Sequence, residues 1–445
     1  MNLTNLQWLY LNNKNFSGKI EDGLLKASLL LALDLCNNEF SGQIPSWIGN
    51  ILNLEYLVLA NNFLEGNIPT QLGNLEFLQI LDIFENRLAR SISSSFNLSS
   101  LQNLYMHKNA FNGSILDAFR RSSRLITLDI RDNKFSRTIP NWINEDSRLH
   151  ILLLSGHNLQ GHFPYQVCEL NELSIADVLY NKFSGSIPPC YTNMTIWNQE
   201  HDVSLFKLTE EQSFDMSENY YNSILPLNKF EEDDDRPSFQ REIELMTKNR
   251  YESYKGNILN YMAGLDLFCN EFTGDIPPEY GSFPEIHALN FSHNFFSGSI
   301  PESFSNLKMI ESLDLSDKKL SGSIPPQLTK LNFLSNFNVS YNNLSGPTPN
   351  VGQFVNFDES NYRGNLGLCG PTISKKCISV LDSPEKPSSE GEENESTIDM
   401  VAFYWSFAAS FVIYGIILKF LHLFINFHIG RHDFDLNVYV QFIPD

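Results

Sequence analysis

A unit of about 24 residues recurs along most of this chain, and a short tandem repeat constrains the fold more than any single motif. Aligned on Leu-x-Leu, the first-Leu slots fall at Leu9, Leu33, Leu57, Leu81, Leu104, Leu128, Leu152 and Ala176, then resume at Leu265, Leu289, Leu313 and Phe337. The step is 24 residues except for one of 23, from Leu81 to Leu104. Five residues after the slot stands Asn in nine of twelve units, with Lys14, His157 and Lys318 departing. Seven after it is always Leu or Phe, and nine after it is Gly in ten of twelve, with Arg90 and Arg137 departing. Ile-Pro closes seven units, as in Ile44-Pro45 and Ile300-Pro301.

The spacing carries its own physics. Alternation across Leu-x-Leu makes a short strand with its leucines inward. One such strand cannot bury its face alone, so the units stack around a shared core. An Asn at a fixed bend can donate to carbonyls that the turn leaves unpaired. The expected fold is therefore a solenoid.

The pattern LxxLxxLxLxxNxLxGxIP resembles the plant-type leucine-rich repeat, over about two thirds of the chain. The resemblance implies an α/β solenoid, a plant-type leucine-rich-repeat superhelix. A concave parallel β-sheet lies on one side and loops or short helical turns on the other. About eight repeats are expected over 1–190 and four over 258–349. Between them, 191–257 breaks the period and contains five consecutive acids, Glu231 to Asp235. A long insertion in a solenoid folds out from one face and often carries binding. The alternative for 200–240 is a solvated acidic loop. Charged and apolar residues alternate in a strand-like way over 241–256.

The stretch TKNRYESYKGNILNYMAGLDL and the four repeats after it look like plant receptor-like proteins: leucine-rich-repeat ectodomain, island, single transmembrane helix, short tail and no kinase. The island signature stands as Tyr254, Lys255 and Gly256. Residues 350–377, with NYRGNLGLCG, resemble the C-terminal cap. Cys369 and Cys377 lie within that cap, and the family carries Cys at the places of Cys168 and Cys190, so these four are disulfide candidates with connectivity open. Cys36 and Cys269, inside repeats, read as single buried thiols. Nine N-x-S/T sequons are glycosylation candidates: Asn2, Asn15, Asn97, Asn112, Asn193, Asn290, Asn338, Asn343 and Asn394.

An acidic juxtamembrane linker is expected over 378–399 and a transmembrane segment over 400–427, uncharged from Val401 to Leu418. Lys419, Arg431 and His432 beyond it favour a cytosolic tail at 428–445. A tail that short cannot hold a catalytic domain. The chain opens inside a repeat, without the signal peptide or cysteine-paired cap of the family, which reads as an N-terminally truncated receptor. Taken literally, the late apolar segment would act as a tail anchor and leave the repeats in the cytosol, with no sequon glycosylated.

No catalytic constellation emerges. There is no phosphate-binding Gly-rich loop, H-E-x-x-H or paired C-x-x-C motif, so neither cofactor nor metal is expected. His107 and His157 fall on repeat slots and read as surface residues. A net charge of −21 argues against nucleic-acid binding. The candidate ligand surface is the concave sheet, where residues at −1, +1, +3 and +4 from each slot point outward. Stacked rows read Phe84, His107, Arg131; Glu85, Lys108, Asp132; and Asp82, Tyr105, Asp129. Such an aromatic and charged cluster suits a peptide or glycan; the alternative is salt bridging among Glu85, Lys108 and Asp132 without a ligand.

The resemblance implies a plasma-membrane receptor with extracellular repeats. It would recognise a peptide or microbe-derived ligand and signal through co-receptor and adaptor receptor kinases, in defence by analogy. The other readings are an inhibitor of secreted cell-wall-degrading enzymes and a non-functional truncated product.

Overall fold

The computed structural model describes residues 5–93, 99–114, 122–140, 143, 148–190, 242–247, 250–255, 259 and 262–377. All belong to one unit, Met1–Ile378. The expected linker, membrane segment and tail lie outside the described residues. Among those described, no helix is long and apolar enough to cross a membrane.

Each of the twelve slots forms a three-residue strand, from Trp8–Tyr10 to Asn336–Asn338, and the strands pair in chain order into one parallel sheet. Slot faces slot: Leu9 pairs Leu33, Leu33 pairs Leu57, and Leu313 pairs Phe337. The slot side chains point away from the open face into a continuous core, and Leu33, Leu57, Leu81 and Leu313 are fully buried. Burying one such side chain contributes about 1.5–3 kcal/mol. The residue seven past the slot adds a second row. Its aromatic members stack from coil to coil, Phe183 on Phe272 at 6.2 Å and Phe272 on Phe296 at 6.0 Å.

The recurrent Asn ties neighbouring coils together. Asn62 Nδ2 lies 3.0 Å from the Leu35 carbonyl, 3.2 Å from that of Leu59 and 3.1 Å from that of Ala60, while its Oδ1 accepts the Phe40 N–H at 2.9 Å. A bend that would strand carbonyls inside the core is thereby satisfied. Lys318, in the Asn position, donates its Nζ to the Phe291 carbonyl, the equivalent of the one Asn62 takes from Leu35. Its ammonium lies 5.3 Å from the centre of the Phe296 ring. His157, expected at the surface, is buried edge-on to Phe135 at 5.5 Å, because its slot points into the core.

The Ile-Pro that closes a unit starts a 3₁₀ turn. Pro45, Pro69 and Pro301 cap Ser46–Asn50, Thr70–Asn74 and Glu302–Asn306. Proline's fixed φ suits that entry. Among the described residues every helical segment is 3₁₀.

The insertion leaves the sheet unbroken. Ile175–Asp177 pairs directly with Gly264–Asp266, Ala176 opposite Leu265. Cys168 and Cys190 are disulfide-bonded just before the chain departs. Tyr280, buried one coil later, hydrogen-bonds the Pro188 carbonyl at 3.2 Å. At the far end, Phe354, Phe357 and Tyr362 pack around Phe337, and Cys369 is bonded to Cys377. Cys36 and Cys269 are only partly buried, because they flank the strand instead of pointing into the core.

Candidate functional site

The open face of the twelve-stranded sheet divides into three stretches. The first holds the predicted cluster. The Phe84 and His107 rings stack at 4.4 Å, 7° from parallel. His107 Nδ1 lies 3.1 Å from Asp129 Oδ2. Arg131 grips the same carboxylate with two nitrogens, Nε to Oδ1 at 2.9 Å and Nη2 to Oδ2 at 2.6 Å. Two expectations need correction. Tyr105 and Arg131 do not stand in solvent; they are buried, with 4% and 6% of their surface exposed. The close spacing of neighbouring strands, about 4.8 Å, lets adjacent side chains cover them.

Electrostatics follow burial. Burial alone would raise the Asp129 carboxyl, but Arg131 and then His107 outweigh it and hold it well below the usual carboxylate range. Asp82, two strands away from Arg131, has no such cation. Burial pushes it up to about 8, with Asp34 and Asp129 adding to the rise and the Phe84 N–H opposing it. Burial likewise raises Asp177 and Asp266 on the far side.

These acids also have a structural task that the sequence reading missed. Asp34, Asp129, Asp177, Asp266 and Asp314 each accept the backbone N–H two residues on, at 2.9–3.2 Å. This Asx turn ends the strand. The signal was in the chain, since the residue after the slot is Asp or Asn in eight of twelve units.

The predicted row Glu85, Lys108 and Asp132 sits at the rim. All three adopt positive φ, 50–52°, as do the other residues four past the slot. Lys108 Nζ is 3.8 Å from Glu85 Oε2, with both side chains about half exposed. At Gly156 in the same row, a Cβ would collide with Asp132.

The second stretch is apolar and covered. Ile151, Leu153 and Ile175 form a patch separate from the core, and Ile243 of the insertion and Leu259 just after it bury against it. Ile243 belongs to an antiparallel hairpin, Glu242–Thr247 with Arg250–Lys255, in which Lys255 pairs Glu242 and Tyr254 pairs Ile243. Tyr254 packs partly buried on the same patch. Gly256 lies outside the described residues. So do the acid run 231–235 and the sequons Asn2, Asn97, Asn193 and Asn394. The apolar residues beside the slots of the seventh and eighth coils were the available hint of a docking patch.

The third stretch, beyond the hairpin, has small and polar side chains beside its slots, with the Phe268 ring between Tyr180 and His293 at its edge. Gly264, Ala288 and Ser312 precede the slots, and Asp266, Asn290, Asp314 and Asn338 follow them. Among the described residues no group of three or more His, Cys, Asp or Glu could hold a metal ion.

The Leucine Rich Repeat family matches residues 29–51, 53–75, 124–145 and 285–307. Receptor-like protein 56 of Arabidopsis thaliana is 42% identical over 323 residues, 70% of this chain and 34% of the relative. The chain is built of leucine-rich repeats and is similar to plant receptor-like proteins. Receptor-like protein 9a, also of Arabidopsis thaliana, is 60% identical over 174 residues, which is 39% of this chain and 18% of the relative. The chain thus spans only part of these receptor-like relatives. Among solved structures, the plant peptide hormone receptor RGFR1 in complex with RGF2 is 26% identical with a TM-score of 0.58, over 80% of this chain and 45% of that one. PEPR1 with AtPEP1 is 25% identical with a TM-score of 0.57, over 82% of this chain and 46% of that one.

Proposed function

We infer that the chain is the recognition part of a plasma-membrane receptor that binds an extracellular peptide or microbe-derived ligand. Its reading face is the open sheet, with Phe84, Glu85, His107, Lys108 and Asp132 on the side before the island hairpin. Binding, and not catalysis, is its task. The observation that carries this reading is the hairpin itself. It occupies the apolar part of the sheet, leaving polar and aromatic stretches on either side.

The comparisons support the direction. The relatives are receptor-like proteins, and one of the similar structures is a plant peptide hormone receptor in complex with RGF2. Signal would leave through co-receptor and adaptor kinases, one role being defence. Arg131 acts beneath the surface, holding Asp129 in place, and Tyr105 is buried on the neighbouring strand.

The test is gain of response. Leaf cells expressing the full chain are challenged with fractionated microbial and plant peptides, and the calcium rise is recorded. A response that needs the chain and is lost in Lys108→Glu with His107→Ala supports the reading. The absence of any chain-dependent response, or one indifferent to both substitutions, contradicts it.

A further inference from the structure

Five sequons lie among the described residues, and they fall into two kinds. Asn15, Asn112 and Asn343 are exposed, six or eight residues past a slot and away from the open sheet face. Asn290 and Asn338 stand directly after a slot, at the ends of the strands Ala288–Asn290 and Asn336–Asn338.

The second kind is built into the fold. Asn290 Oδ1 accepts the Ser292 N–H at 3.1 Å and the Ser292 hydroxyl at 2.6 Å. Asn338 Oδ1 accepts the Ser340 N–H at 3.1 Å. The coil between them makes the same turn with an acid: Asp314 Oδ1 accepts the Ser316 N–H at 2.9 Å and its hydroxyl at 2.7 Å. The Asn-x-Ser spelling at 290 and 338 is therefore the strand-ending turn of Asp314-Leu-Ser316, written with an amide. At Asn338 the amide nitrogen is engaged as well, Nδ2 donating to Asp314 Oδ2 at 3.3 Å. Acid and amide alternate along the ladder Asp266, Asn290, Asp314, Asn338, on strands paired at the usual spacing of about 4.8 Å.

We propose that Asn15, Asn112 and Asn343 carry N-linked glycans while Asn290 and Asn338 stay bare, so that the last four coils keep a sugar-free open face. Attachment joins Asn Nδ2 to the anomeric carbon of a sugar activated on a lipid pyrophosphate. The bond from that carbon to the pyrophosphate oxygen breaks, the lipid pyrophosphate leaves, and Nδ2 gives up one proton. At Asn343, an exposed side chain carries the product without loss. At Asn338 the sugar would have to occupy the gap that Asp314 fills, and Nδ2 would keep a single hydrogen. The bare stretch adjoins the island hairpin, where a protein ligand or partner can approach the sheet closely. The proposal rests on the extracellular placement argued above.

The test is site occupancy by peptide mass spectrometry of the full chain expressed in plant cells, with gel mobility of Asn→Asp variants. Asparagine 343 changed to Asp, as N343D, is expected to lose one glycan, as are N112D and N15D. N290D and N338D are expected to leave the glycan number unchanged and the chain folded, since Asp already serves at 314. Occupancy at Asn290 or Asn338 equal to that at Asn343 overturns the sorting and leaves the receptor reading intact. No glycan on any sequon overturns both the proposal and the extracellular placement.

Discussion

Asn270 Oδ1 accepts the backbone N–H of Phe183 at 3.1 Å, across 87 residues of sequence. Its Nδ2 reaches back to the Val178 carbonyl at 3.0 Å. The Asn ladder that joins neighbouring coils therefore runs past the insertion as though it were absent. A surface built from repeats on both sides of the island is one surface because of such contacts.

Replacing Asn270 by Ala removes one acceptor and leaves buried carbonyls without a donor. Unsatisfied buried groups cost about 1–3 kcal/mol each. Asn270→Ala is expected to destabilise the chain by roughly 2–4 kcal/mol in urea unfolding. Hydrogen exchange should rise most around Val178 and Phe183. Loss of less than about 0.5 kcal/mol would mean the ladder is not coupling the coils there.

Lys318 is the weak rung. It supplies a donor to Phe291 but has no acceptor for the N–H that an Asn would receive, and burial depresses its pKa well below the lysine norm. Lys318→Asn is expected to stabilise by about 1–2 kcal/mol at pH 7. The sign with pH follows from linkage. Between the depressed folded pKa and about 10.5 the unfolded chain binds the extra proton. Wild-type stability therefore climbs with pH in that window, and the variant's advantage shrinks toward pH 10. An advantage that grows with pH would contradict a buried lysine.

Asp82 titrates in the opposite sense. Its folded pKa of about 8 stands above the 3.8 of an ordinary Asp. The protonated form is favoured by folding, so its stabilisation is complete below the unfolded pKa and is lost as pH rises through 8. Asp82→Asn keeps an oxygen for the Phe84 N–H and cannot ionise. Its stability relative to wild type should be near zero at pH 4 and grow toward pH 8, at no more than roughly 1.4 kcal/mol per pH unit. A flat difference across that range would show that Asp82 is not raised.

Much of this was legible from the chain, and the reasons are local. Leucine slots, the Asn rung and the Ile-Pro closure each answer to one coil and its neighbour, so periodicity alone places them. What was hidden depends on contacts that cross units. Arg131 read as a ligand-facing cation, yet a bidentate grip on Asp129 takes it out of solvent. Ile151 and Ile175 read as ordinary outward positions, and only the folded chain shows Ile243 resting on them. Asn290 read as a sequon because a strand-ending turn and a glycosylation signal share the same three letters.

Arg131→Ala would leave Asp129 buried with its main counter-charge gone. Breaking a buried pair from one side costs about 3–5 kcal/mol. Asp129→Asn with Arg131→Met should recover most of that loss. Equal stability of Arg131→Ala and wild type in denaturant would place the pair in solvent instead.

The central claim is that one uninterrupted stack of coils presents one face despite the island. Native-state hydrogen exchange on the full chain tests it at the joint, where Gly264 N–H is bonded to the Ser174 carbonyl at 2.9 Å and Tyr180 N–H to that of Phe268 at 3.0 Å. The account predicts that these two amides are protected as strongly as Ala288 and His150 within the flanking coils, and that they open together with them. Fast exchange at Gly264 and Tyr180, with protected blocks on either side opening independently, would contradict it.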